Sequence, residues 1–150
     1  MSEIKHRLQE DSNDALRSGD KPKLGALRLI LAAVKQQEVD TRKDLDDAAV
    51  LDIIGKMIKK GRDAAAQFAA AGREDLAGKE SMEVAYFEAY MPAQLSAADL
   101  SAVIATAIED TGASSIKDMG NVMAAVKVAA AGRADMATVS GLVRQALAKI

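Results

Sequence analysis

The chain has 150 residues, 49% hydrophobic, 28% charged and 3% aromatic, a composition that excludes intrinsic disorder and fits one or two small globular domains. Its 20 Lys and Arg stand against 22 Asp and Glu, a net charge of -2, so a nucleic acid or an anionic membrane would have to be met by a local patch rather than by bulk charge. With no cysteine, and with His6 as the only histidine, disulfide scaffolds, thiol nucleophiles, zinc ribbons and two-histidine metal centres are excluded, and no cofactor is expected.

Apolar residues return at intervals of three and four throughout and nowhere alternate over several positions, which predicts an all-α protein of seven helices. The first runs from an N-cap at Ser2 to Ser18, with Gly19 as a left-handed stop. A second, central helix spans about Lys21 to Asp40, with Pro22 in its first turn and Leu24, Leu27, Leu31 and Val34 on one stripe that Leu29 and Ile30 widen. Asp44 or Asp46 caps a third, carrying Val50, Ile53, Ile54, Met57, Ile58 and Phe68 up to Gly72. Asp75 opens a fourth, which ends at Tyr90 and Met91 because Pro92 disfavours helical geometry in the residue before it. The domain boundary is expected there, dividing 1–92 from 93–150.

Ser96 with Asp99, and Ser115 with Asp118, then carry the spacing of a capping box and start the fifth and sixth helices, which Gly112 and Gly132 close. Asp135 caps the seventh, with Val139, Leu142, Val143 and Leu147 inward, so the last three helices form a small bundle. The segments Ala69–Leu76 and Ala129–Met136 share six of eight letters, the letters of a helix end, a glycine and an acidic start; they read as one corner used twice.

No catalytic constellation emerges. The acidic cluster Asp40, Asp44, Asp46 and Asp47 lacks the glycine and glutamate of a calcium loop, and Gly55 to Arg62 has neither the spacing nor the Lys-Ser/Thr of a phosphate loop. Glu80 and Glu83 are read as a solvated face. All four aromatics, Phe68, Tyr86, Phe87 and Tyr90, fall in one stretch, and no lysine or arginine is interleaved between positions 80 and 92, so they read as a hydrophobic cluster rather than a base-stacking platform.

The sharpest pattern is basic. Lys21, Arg28, Lys35 and Arg42 recur every seven residues, a positive edge with a pitch of about 10 Å on a helix, which Lys56, Lys59, Lys60 and Arg62 extend if the third helix lies alongside. Glu38 is placed to pair with Arg42, and Asp52 with Lys56, at the i,i+4 spacing that supports a helix, so the row reads either as solvated charge or as an anion-binding face.

Leu27 to Lys35, Ala71 to Ala77, Lys79-Glu80, Tyr90-Met91-Pro92, Asp118 to Met123 and Gly132 to Asp135, taken in order, resemble the GatB/YqeY family of bacterial proteins across the whole chain. The resemblance implies an N-terminal helical domain joined to a bundle similar to the tail of the GatB chain of the glutamine-dependent aspartyl/glutamyl-tRNA amidotransferase, where the tail helps hold tRNA. Asn121 stands where the family often has lysine, and Ala124 where it often has glycine. The family's label, carbon-nitrogen ligase with glutamine as amide donor, belongs to that larger enzyme. The expectation is therefore an accessory module that binds tRNA or amidotransferase and other tRNA-handling proteins, with a helical protein-protein adaptor as the alternative. RNA-binding candidates are Lys21, Arg28, Lys35, Arg42, Lys56, Lys59, Lys60 and Arg73, and in the tail-like part Lys117, Asn121, Lys127 and Arg133. The start lacks a signal peptide's apolar stretch and no run reaches the roughly 18 apolar residues of a membrane span, so the cytoplasm is expected and a membrane is not.

Overall fold

The computed structural model describes residues 2–150, and every regular element among them is helical. Two compact units divide the chain, Met1–Met91 and Pro92–Ile150.

In the first unit α1 (Glu3–Ser18) begins at Ser2, whose hydroxyl accepts from the Lys5 amide at 3.0 Å, and stops at Gly19 with φ 76°. Asp20 caps α2 (Lys21–Thr41), accepting from Lys23 at 3.2 Å. Asp46, not Asp44, caps α3 (Asp47–Ala70), accepting from Ala49 at 2.9 Å. The expectation that Asp75 caps α4 (Glu74–Glu88) is corrected. Arg73 occupies the cap position without a side-chain bond, and Asp75 lies inside the first turn. The cause is the corner: Gly72 turns left-handed at φ 75° and the Arg73 amide reaches back to Phe68 O at 2.8 Å, so the chain re-enters helix two residues after the glycine.

The core of this unit is built from Leu8 of α1, Leu27, Ile30 and Val34 of α2, Val50, Ile54 and Ile58 of α3, and Val84 and Phe87 of α4, closed by Leu45 and Tyr90. As expected of a central helix, α2 touches the other three. Leu24, Leu27 and Val34 of the expected stripe are buried, with Leu31 partly so; of the two residues expected to widen it, Ile30 is fully buried while Leu29 is 46% exposed. The most extensive pairing is α3 with α4. They approach so closely at Gly61 that a Cβ there would lie 2.6 Å from Val84 Cγ2.

In the second unit Ser96 caps α5 (Ala97–Thr111) and Gly112 ends it at φ 65°. The start signal at Ser115 produces a single 3-10 turn, Ile116–Asp118, before α6 (Met119–Ala129). Asp118 reaches back to the amides of Ser114 and Ser115 at 2.9 and 3.2 Å, so the shorter acid completes the reciprocal cap. Gly132 turns at φ 70°, as Gly72 does, and Asp135 caps α7 (Met136–Ala148). Val122, Val126, Val139 and Val143, all fully buried, meet Leu100, Ile104 and Leu147 at the centre of the bundle.

Candidate nucleic-acid interface

α2 sets the basic row. Lys21, Arg28 and Lys35 are exposed on one side of the helix, with Gly25, Ala32 and Val39 exposed between and beyond them. Fourteen residues separate Lys21 from Lys35, so the row runs about 21 Å along a rigid element. From Lys21 to Gln37 the helix also carries Lys23 and contains no carboxylate, an uncompensated positive stretch in a chain of net charge -2. Among the described residues the side chains of Lys21 and Arg28 have no hydrogen-bond or ion-pair partner.

The fourth member of the series sits differently. α2 ends at Thr41, and Arg42 adopts φ 56°, ψ 36°, so it is a left-handed cap and not part of the helical row. It lines a shallow hollow of about 320 Å³ at the end of α2, together with Lys35, Lys43, Glu38, Val39 and Asp44. The expected pair of Glu38 with Arg42 does not form. Glu38 instead accepts two bonds from Lys5 Nζ, at 2.8 and 2.9 Å, and one from the Leu45 amide at 3.1 Å. The bond from Lys5, then that from Leu45, holds its carboxyl below the usual range. Glu38, which shares that hollow with Lys35, is thus neutralised by a lysine from α1.

α3 does pair Asp52 with Lys56 as expected, at 3.1 Å. Lys56, Lys59 and Lys60 border another hollow, of about 390 Å³, with Asp63, Ala64 and Gln67; none of these residues lines the hollow at the end of α2. Arg62 turns to Glu88 of α4.

Two candidate arginines serve the corners. The Arg73 guanidinium holds Asp75, with Nε and Nη2 at 3.2 and 3.1 Å, and that bond keeps the Asp75 carboxyl low. In the second unit Arg133 Nε donates to Ala93 O at 3.4 Å, the Leu95 amide donates to Arg133 O at 2.7 Å, and Gln94 Nε2 donates to Gly132 O at 3.2 Å. Lys117, Asn121 and Lys127 are exposed along the 3-10 turn and α6.

Burial takes Phe87 and Tyr90 out of any stacking role. Tyr90 and Phe87 are in the core of the first unit, and Tyr86 and Phe68 are half-buried. The Tyr90 hydroxyl donates to Asp11 Oδ2 at 2.5 Å while the Arg7 guanidinium lies 4.6 Å from its ring centre. Burial first, then the bond to Asp11, pushes the phenol's pKa upward. Glu80 and Glu83 are half-buried rather than solvated; burial and the neighbouring Glu80 raise the Glu83 carboxyl. Among the described residues no group of three or more His, Cys, Asp or Glu is placed to hold a metal ion, and no helix is long and apolar enough to cross a membrane. The sequence reading missed Lys43 and Lys5, whose parts depend on where α2 ends and on a contact 33 residues away.

Comparison with known proteins agrees on one lineage. Residues 5–147 match the family described as Yqey-like protein. Among curated proteins the chain is similar to "Altered inheritance of mitochondria protein 41, mitochondrial" of Eremothecium gossypii, 37% identical over 87 residues that make up 57% of this chain and 48% of that protein. The protein of the same name from Kluyveromyces lactis is 33% identical over 87 residues, 57% of this chain and 47% of its own length, and that from Saccharomyces cerevisiae 32% over 85 residues, 56% and 46%. The matched stretch spans about half the length of these curated relatives. Since the family match covers almost all of the chain, the protein belongs to the Yqey-like family.

Proposed function

We propose that this chain is an accessory helical module that binds tRNA, or the amidotransferase and other proteins that handle it, and carries no transfer chemistry of its own. The observation that carries this reading is the exposed row Lys21, Arg28 and Lys35 on a helix with no carboxylate before Glu38. Phosphates are the complementary ligand for cations held in line, because releasing their condensed counterions drives binding without any reading of bases. The resemblance of 93–150 to the amidotransferase tail points the same way, and Lys117, Asn121 and Lys127 would meet the RNA from the second unit. The ligase label describes the larger enzyme; here it implies association with glutamine-dependent amidation. On the bacterial resemblance the work is cytoplasmic, whereas the fungal relatives are named as mitochondrial proteins.

A second reading, a protein-protein adaptor, is favoured by Leu29 and Val39, which are 46% and 60% exposed on the same helix. Titrating the full chain with tRNA across a salt series separates the two. Phosphate contacts make affinity fall steeply with salt, at close to one unit of log-log slope per contact, and an apolar protein contact does not. Absence of tRNA binding at low salt leaves the adaptor as the function.

A further inference from the structure

Resting on the tRNA reading, we propose that the outer face of α2 grips the phosphate backbone of double-helical RNA, a paired stem, and not unpaired bases. Three observations converge on a stem. The cations Lys21, Arg28 and Lys35 stand in line at a pitch of about 10 Å on one uninterrupted helix, so they present a fixed array. A stem offers a fixed array of phosphates in return. A single strand is flexible and has to be ordered on binding, and proteins that hold single strands offset this by stacking bases on exposed aromatic rings. This chain has four aromatic residues, two in the core and two half-buried, and none lies on α2.

The residues between the cations also argue for backbone recognition. Gly25, Ala32 and Val39 have nothing with which to read a base edge, and the amide of Gln36 is engaged with Asp40 at 2.9 Å. In A-form RNA the major groove is too deep and narrow for side chains, so a duplex is recognised through its shape, phosphates and 2'-hydroxyls. Small side chains along the face let the helix lie close to such a surface, and a Cβ added at Gly25 would meet nothing within 4 Å, so no packing inside the protein requires that glycine. Lys5 also offsets one acid at this end of the face by holding Glu38, which shares a hollow with Lys35, in a bidentate pair. Binding is then indifferent to base sequence, with Arg42 and Lys43 at the end of α2 extending the grip.

The test uses the full chain and two labelled RNAs with equal numbers of phosphates, a hairpin with a fully paired stem and an unstructured uridine oligonucleotide, read by fluorescence anisotropy over a salt series. The stem is expected to bind at least about fivefold more tightly, with no change when its base pairs are shuffled. Arg28→Glu with Lys35→Glu should lower the log-log salt slope for the stem by about two units, whereas Arg28→Lys with Lys35→Arg keeps it, both variants being checked by circular dichroism and melting. Equal or tighter binding of the uridine strand overturns the inference while leaving tRNA binding standing. An unchanged slope in the charge-reversed variant, once shown folded, overturns it too and moves recognition off α2. Displacement of the stem by polyglutamate at equal charge would mark the face as a dock for acidic proteins. If neither these RNAs nor tRNA bind, the tRNA reading falls as well.

Discussion

Gly61 is a residue whose identity is set by a neighbour 23 positions away. A methyl group there would sit 2.6 Å from Val84 Cγ2, and Val84 is buried on a stiff, β-branched side chain with little room to yield. Gly61→Ala, a change that favours helix in isolation, should therefore destabilise the first unit by about 1–3 kcal/mol, measured by urea unfolding; a gain in stability would mean that α3 and α4 can separate freely. Local chemistry of this kind is only partly legible in the sequence. The caps at Ser2, Asp46, Ser96, Ser115 and Asp135 were readable because each acts within three residues of itself. The partner of Glu38 was not: spacing offered Arg42, but Arg42 leaves the helix, and Lys5 arrives from α1 by tertiary packing. Likewise nothing in the spacing of Gly72 and Asp75 shows that Arg73 closes the corner first.

At the scale of elements the amphipathic pattern placed the helices well, and on the inner face of α2 it missed at Leu29. Leu29 and Ile30 are adjacent and equally apolar, so periodicity alone does not decide which turns inward, and the contacts with α1, α3 and α4 give the place to Ile30. Within the first unit α1 is the helix with the fewest buried apolar residues. Leu8 and Ala15 are its buried hydrophobic residues, with Ile4 packed beside them, and Ser12 is buried too. Polar ties do much of the rest: Lys5 to Glu38, Ser2 and the Ile4 amide to Asp47, and Asp11 to Tyr90. The carboxyls of Glu38 and Asp47 are held below their ordinary values of 4.5 and 3.8, the first chiefly by Lys5 and the second chiefly by the Ser2 hydroxyl. A depressed carboxyl contributes stability that is present above its ordinary value and is lost as pH falls through its folded value, so acid below about pH 4 loosens α1. Hydrogen exchange should show residues 3–18 losing protection before α2, α3 and α4 under acid or high salt. Simultaneous loss in all four helices would show that α1 does not open by itself. Glu83 has the opposite sign: its raised carboxyl makes protonation favourable to the fold, so Glu83→Gln should leave acid stability unchanged and slightly raise it near neutrality in thermal melts.

Across the whole molecule, the proline that begins the second unit is plain in the sequence, and the strap that ties down the segment after it is not. Ala93, Gln94 and Leu95 are all bound to the Gly132-Arg133 corner, two of the bonds made by main-chain groups of Gly132 and Arg133 that composition cannot reveal. We expect limited proteolysis to cut between Met91 and Ser96, and to cut faster in Gly132→Val, which puts a β-branched residue at φ 70° and should also destabilise the second unit by roughly 1 kcal/mol or more. A cut map without preference for that segment would overturn the boundary. A melting curve unaltered by Gly132→Val would show the corner to be dispensable. The functional face was legible as a heptad of cations, since a surface row obeys the same helical arithmetic as a core; its loss of Arg42 was not, because the sequence places no glycine, asparagine or proline where α2 stops.

That left-handed arginine sets comfort of the backbone against use of the surface. At φ 56° a side chain other than glycine strains the chain by about 1 kcal/mol, so Arg42→Gly should raise the melting temperature while removing a cation from the end of the proposed grip. Selection for thermal robustness alone would discard Arg42, and selection for partner binding would restore it. A library of position 42 sorted separately for stability and for RNA retention should give opposite winners, glycine in one and arginine or lysine in the other.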